Sequence, residues 1–119
     1  MPEERFTVEK RPAESRYVLL DHEIENGDAE IGEESYLDYT AAGTPQRIMY
    51  HTGVSEQYGG LGLASVLVRA AVEDTISDGR KIVPVCPYVA AWLPKHPEYA
   101  EHVAPKTAEH LGALRANQE

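Results

Sequence analysis

A chain of 119 residues with a formal net charge of -9 suits one domain with a modest core, and without a basic stripe it is a poor partner for nucleic acid. Its one cysteine, Cys86, excludes an intramolecular disulfide, and no apolar run approaches membrane-spanning length, so no membrane partner is expected. Met1-Pro2-Glu3-Glu4-Arg5 has neither the basic nor the apolar region of a signal peptide, which leaves a soluble cytoplasmic domain as the expectation, its acidity suiting solubility or a cationic substrate.

Residues 1–15 are polar and charged and are expected to begin loosely, with Phe6 and Val8 starting an edge strand. Arg16 to Leu20 is a β-prone run ending at Asp21, and Asn26-Gly27-Asp28 is a turn signal after it. The acidic run from Glu23 to Glu34 reads as a solvated hairpin. Ala29 to Tyr39 reads as a strand with Ile31, Tyr36, Leu37 and Tyr39 as its apolar members. After the turn Ala42-Gly43-Thr44-Pro45, Arg47 to Val54 gives a further strand, so that three strands form an antiparallel meander.

A helix is expected from about Gly62 to Ser77, closed by Asp78-Gly79. Leu63, Val66, Leu67, Ala70 and Ala71 would make its buried face. Lys81 to Cys86 is a short β-branched strand. Pro84 has no N–H for a ladder, so this strand should lie at an edge or splay from its neighbour there. Tyr88 to Lys95 reads as a short helix, Glu98 to His102 as one more turn, and Thr107 to Arg115 as a last helix with Leu111 and Leu114 inward. The connection between the last two strands permits a parallel crossover. The expected class is α/β (α+β), helices packed on a mostly antiparallel sheet.

Among the residues that carry chemistry, Gly59-Gly60-Leu61-Gly62 runs directly into the helix that starts near Leu63. Amides of a first helical turn have no intrahelical partner, and glycine lets a phosphate approach them. A tight turn before a core helix would look the same. Cys86 lies where strand becomes helix, a place for a nucleophile or for a small core residue. His51, on the strand face opposite Tyr50 and Thr52, is either a candidate base, histidine being the residue type suited to proton transfer near neutral pH, or a hydrogen-bonded sheet residue. His96 suits the cation at a helix C-terminus, while His22, His102 and His110 read as surface residues. Trp92, Tyr88 and Tyr99 read as core. The histidines, Cys86 and the carboxylates have no metal-ligand spacing, so no metal is expected. There is no Gly-x-Ser-x-Gly elbow, and the turn is not followed by Gly-Lys-Ser/Thr.

Three stretches together resemble a known family: His51-Thr52-Gly53-Val54, then Gly60 to Ala71, then Val83-Pro84-Val85-Cys86-Pro87-Tyr88 through Trp92-Leu93-Pro94-Lys95-His96-Pro97-Glu98-Tyr99. They resemble the small single-domain members of the GNAT N-acetyltransferase superfamily, the minimal YidJ/YjdJ-like proteins. The resemblance spans roughly Arg16 to Val103, giving a polar segment 1–15, a minimal domain 16–103, and a C-terminal helix and tail 104–119. It implies a short GNAT fold with a V-like splay near the last strand. It also implies acetyl-CoA as cosubstrate and an amine-bearing acceptor, small molecule or protein, with the oligomeric state left open. The superfamily pattern falls on Gly59 to Ala64, so the resemblance implies cofactor binding at Val54, Gly59, Gly60, Leu61, Gly62, Leu63 and Ala64, largely through backbone. Gly59 stands where the pattern has Arg or Gln, with Gln57 near enough to substitute. Gly53 stands where relatives often carry Glu. The catalytic candidates are then Cys86, placed like the cysteine near the thioester in this family, and His51. The alternative is a non-catalytic acyl-CoA-binding or sensor module.

Overall fold

The computed structural model describes residues 5–24 and 27–117. Its five strands, β1 (Phe6–Arg11), β2 (Arg16–Ile24), β3 (Gly27–Ala41), β4 (Thr44–Val54) and β5 (Lys81–Pro84), form one sheet in sequence order. The first four run antiparallel, and β5 joins β4 in parallel. A parallel neighbour needs a crossover, supplied by helix α1 (Leu63–Ser77). The meander thus has four strands instead of three: Phe6 to Arg11, in the segment expected to begin loosely, pairs along β2 as the outer strand. Asn26 of the expected turn lies outside the described residues, and Gly27 and Asp28 already belong to β3. β4 begins at Thr44 because Ala42 (φ 51°) and Gly43 (φ 83°) both take the left-handed conformation that a two-residue hairpin turn requires.

The sheet has a core on each face. On one, Tyr17, Leu19, Tyr36, Met49 and Ile82 pack against Leu67, Val68, Ala71 and Val72 of α1 and against Val89 and Trp92 of helix α2 (Pro87–Trp92). On the other, Ile48 and Val83 pack against Leu114 of helix α3 (Ala108–Asn117). Each fully buried aliphatic side chain contributes about 1.5–3 kcal/mol by leaving water.

The buried face of α1 is Leu63, Leu67, Val68, Ala71, Val72 and Thr75, rotated from the expected stripe so that Val66 stays 44% exposed. From Leu63 to Val72 the helix is apolar on most sides, so two stripes satisfy the same spacing and the sheet selects one. Asp78 and Gly79 end it as expected, their amides donating to Asp74 and Ile76 with Gly79 at φ 74°. In α3, Leu114 is buried but Leu111 is 39% exposed. His110, expected at the surface, is buried, 2.7 Å from the Gln46 amide oxygen and edge-on to Tyr39, because α3 lies across the ends of β3 and β4. Among the described residues, no helix is long and apolar enough to cross a membrane.

Candidate active site

β4 and β5 pair from Gln46–Lys81 to Met49–Pro84 and then part. Pro84 has no N–H to continue the ladder. Instead the amides of Val85 (3.0 Å) and Cys86 (2.9 Å) both donate to the Met49 carbonyl, which turns the chain out of the sheet. On the partner strand, Ser35 pairs with His51 and Tyr36 with Met49, so Tyr50 is an extra residue that bends β4 at the same level. β4 continues along β3 to Val54, yet among the described residues its other edge has no strand partner past Met49. The expected splay is therefore built from one proline and one bulge.

Cys86 lies at the apex of this gap, 5% exposed, as the residue that precedes α2. Its Sγ is 3.1 Å from Oγ1 of Thr52. The Thr52 hydroxyl donates in turn to Oε1 of Glu34, its register partner on β3. Glu34 is fully buried, and its Oε2 has no hydrogen-bond partner among the described residues. Burial pushes its pKa up to about 8, against the Thr52 hydroxyl and the His51 backbone amide, which favour the charged form.

Glu34 was not to be expected in a solvated hairpin, and the correction follows from strand alternation. Glu30 and Glu33 reach Arg11 and Arg16 at the surface, at 2.7 to 3.3 Å. Glu34 points to the other face, the one that buries Tyr36 two residues on. Counting back by two from Tyr36 was the available signal. No bulge interrupts that count, since the extra residues are Ile31, earlier in β3, and Tyr50, in β4.

His51 is on the face away from Thr52, with Nε2 3.6 Å from Glu33 and its side chain 55% exposed. A Cβ at Gly53 would sit 3.2 Å from that same nitrogen, so glycine there leaves room for the ring. The structure brings Cys86 to Thr52 and Glu34, and His51 to Glu33. It does not bring Cys86 and His51 onto one face. The carboxylates nearest the glycine position thus come from β3: Glu33 pairs opposite Gly53, and Glu34 opposite Thr52.

Below Val54 the chain makes a 3-10 turn (Glu56–Tyr58) and reaches the glycines. Gly60 (φ 82°) and Gly62 (φ 73°) are left-handed and solvent-facing, and an added Cβ at either would meet nothing within 4 Å. Gly62 precedes α1 with no side-chain cap, and the first turn holds no acidic residue. Among the described residues the amides of Leu63, Ala64 and Ser65 have no side-chain cap, at the positive end of a 15-residue helix. These features fit a pyrophosphate. Gly59 differs: its amide is committed to the Glu56 carbonyl at 3.1 Å, and its φ of -65° is open to any residue.

Two anchors of this loop escaped the sequence reading. Tyr58 donates to Asp21 at 2.6 Å and stands edge-on to Phe6, tying the loop to β1 and β2. The Arg5 guanidinium and that hydroxyl hold the Asp21 carboxyl well below the usual range. The aromatic stretch after Cys86 serves as a clamp. Trp92 Nε1 donates to Ser65 Oγ at 2.8 Å, fixing α2 on the first turn of α1. Tyr99, stacked on Trp92, accepts from Arg69 at 2.9 Å. His96 lies flat on Trp92 at 3.8 Å and accepts from Arg69, a packing role instead of a free helix-end cation. Trp92 and Tyr99 are buried as expected, whereas Tyr88 is 40% exposed. Among the described residues, no three His, Cys, Asp or Glu side chains gather closely enough to hold a metal ion.

The family model for GCN5-related N-acetyl-transferases matches residues 21–103. In fold the chain is similar to a GCN5-like protein of Staphylococcus aureus solved by NMR, at 22% identity and TM-score 0.60, covering 91% of this chain and 97% of that one. A ribosomal-protein-alanine N-acetyltransferase of Brucella melitensis is matched at 17% identity and TM-score 0.48, over 76% of this chain and 64% of that one. No curated protein matches the sequence. With the family matched over most of its length, and with the mostly antiparallel five-stranded sheet and its splay in place, the chain belongs to the GCN5-related N-acetyltransferase family, whose members transfer acetyl from acetyl-CoA to an amine.

Proposed function

We propose that this chain transfers the acetyl group of acetyl-CoA to a primary amine of a small molecule or a protein lysine, holding the pyrophosphate on the backbone from Gly60 to Ala64. One observation carries the reading: among the described residues, the outer edge of β4 has no strand partner from just past Met49, whose carbonyl accepts the Cys86 amide, to Val54, which leads into the glycine turn. That edge is roughly 16 Å long at the usual rise per strand residue. Its free amides and carbonyls suit an extended, amide-bearing arm by strand addition. A cosubstrate seated there would have its phosphates at the uncapped helix and its thioester at Cys86. His51, beside Glu33 on the opposite face, would take the proton of the incoming amine through water around the open edge of β4.

Calorimetric titration with acetyl-CoA and CoA, followed by turnover on a panel of amines, tests the reading. Binding is expected, with turnover falling about 100-fold or more in Cys86→Ala and about 10-fold or more in His51→Ala while CoA affinity holds. No binding at about millimolar cofactor overturns it. Binding without turnover on any amine favours the acyl-CoA-binding module, for which Gly53 and Gly59, in place of a carboxylate and a phosphate-binding side chain, are the supporting observations.

A further inference from the structure

We infer that Glu34, acting through the hydroxyl of Thr52, accepts the thiol proton of Cys86 and so makes Cys86 the nucleophile that carries the acetyl group from acetyl-CoA to the amine. This rests on the acetyltransferase reading with Cys86 as the acyl carrier, the catalytic role the family resemblance implies for it, and goes beyond it by naming the proton's destination.

The geometry is a continuous chain: Cys86 Sγ lies 3.1 Å from Thr52 Oγ1, and Thr52 is bonded to Glu34 Oε1. Thr52 has one proton and accepts as readily as it donates. Once Glu34 is ionised, the row has two states of equal net charge, thiol with carboxylate and thiolate with carboxylic acid, exchanged by shifting two protons one place.

Glu34 differs from the other fully buried or near-buried charges. Arg47 is satisfied by Asp38, Asp78 and the Tyr17 hydroxyl at 2.6 to 3.1 Å and lies over the Tyr36 ring. Asp21 is satisfied by Arg5, Tyr58 and the Glu23 amide. Glu34 has no cation and one oxygen without a partner among the described residues. A purely structural polar residue at this position would be expected to have that oxygen satisfied, since leaving it bare is costly.

The groups facing Glu34 leave Cys86 as the proton's source. Its β2 register partner is Tyr17, whose hydroxyl turns away to Asp74. From β4 comes Thr52, and α1 covers this face with Leu67, Val68, Ala71 and Val72. The charge that reaches it is that of neighbouring Glu33, which opposes ionisation. Burial raises Glu34 to about 8, so the fraction that is ionised, which grows as pH approaches 8, is the form that accepts the thiol proton.

The atoms balance. Cys86 S–H gives its proton to Thr52 Oγ1 as the Thr52 proton passes to Glu34, and Sγ bonds to the thioester carbon. The carbon–sulfur bond to CoA breaks, and CoA leaves as thiolate. The amine then attacks acetyl-Cys86, that carbon–sulfur bond breaks, and the Cys86 thiolate recovers its proton from Glu34 through Thr52. The proton shed by the amine equals the one taken up by the CoA thiolate.

The test mixes the full chain with acetyl-CoA and no amine, and follows acetyl-Cys86 by intact mass spectrometry across a pH series. Expected at pH 7 is a fall of about 10²–10⁴-fold in Glu34→Gln and in Thr52→Val, and retention within about 10-fold in Thr52→Ser, with CoA affinity unchanged throughout. The deficit of Glu34→Gln should shrink as pH rises and solvent deprotonates the thiol. Acetylation at the wild-type rate in either variant, or a deficit independent of pH, overturns the relay. Carbon-13 NMR of the unsubstituted chain supplies a readout free of any substitution. One glutamate carboxyl should titrate near neutral pH, and titration of every glutamate in the acid range contradicts the proposal. Amine acetylation that survives in Cys86→Ala overturns the relay and leaves the acetyltransferase standing. Absence of acetyl-CoA binding overturns both.

Discussion

Glu34 enters the folded chain with a pKa of about 8, against 4.5 when exposed, and the sign of its effect on stability follows. A raised pKa means the folded state keeps a proton that the unfolded chain has released. The stabilisation is complete below pH 4.5, declines as pH rises, and is lost above about 8. Asp21 and Asp78 act in the other direction, since their cationic partners depress them and their contribution is lost only in acid. Between pH 5 and 8 Glu34 therefore dominates the slope, by roughly a few kcal/mol at most. Urea unfolding across that range should show the wild-type midpoint falling with pH, and Glu34→Gln should remove the fall. A flat wild-type profile would show that Glu34 ionises as freely as a surface carboxylate.

At the scale of elements, the start of α1 joins stability to binding. Gly62 is left-handed and leaves the next amides uncapped, so an alanine there costs about 1–2 kcal/mol of backbone strain and misdirects those amides. Asparagine tolerates the conformation better. Gly62→Ala should lower thermal stability and weaken CoA binding more than Gly62→Asn does, as read by thermal melts and calorimetry. Equal effects, or none, would mean that the left-handed turn is incidental. The same element shows what a sequence discloses. Gly62 before α1 and Asp78-Gly79 after it are local signals, and both boundaries fell where they pointed. Leu63, Leu67 and Ala71 of the buried face of α1 were legible, but its flank was not, because Val66 and Val68 offer equivalent apolar positions until a sheet chooses between them. Pro84 foretold the parting of β4 and β5 through its missing N–H, a property no context can restore.

At the scale of the whole molecule, the site depends on contacts that only the assembled sheet creates. Thr52 and Glu34 are 18 residues apart and meet through strand register. Cys86 joins them from 34 residues beyond Thr52, because Met49 draws its amide into the gap. The family pattern made Cys86 legible, yet Glu34 sat within an acidic run that composition assigns to solvent. Distributed over a four-stranded meander with one parallel addition, these groups need no second domain to converge. The sharpest test of the central claim is a nitrogen-15 NMR titration of the chain with acetyl-CoA. Shifts should concentrate in the amides of Gly60 to Ser65, along β4 from Tyr50 to Val54, and at Cys86. Saturating acetyl-CoA that leaves those amides unmoved, or moves a separate surface instead, would contradict it.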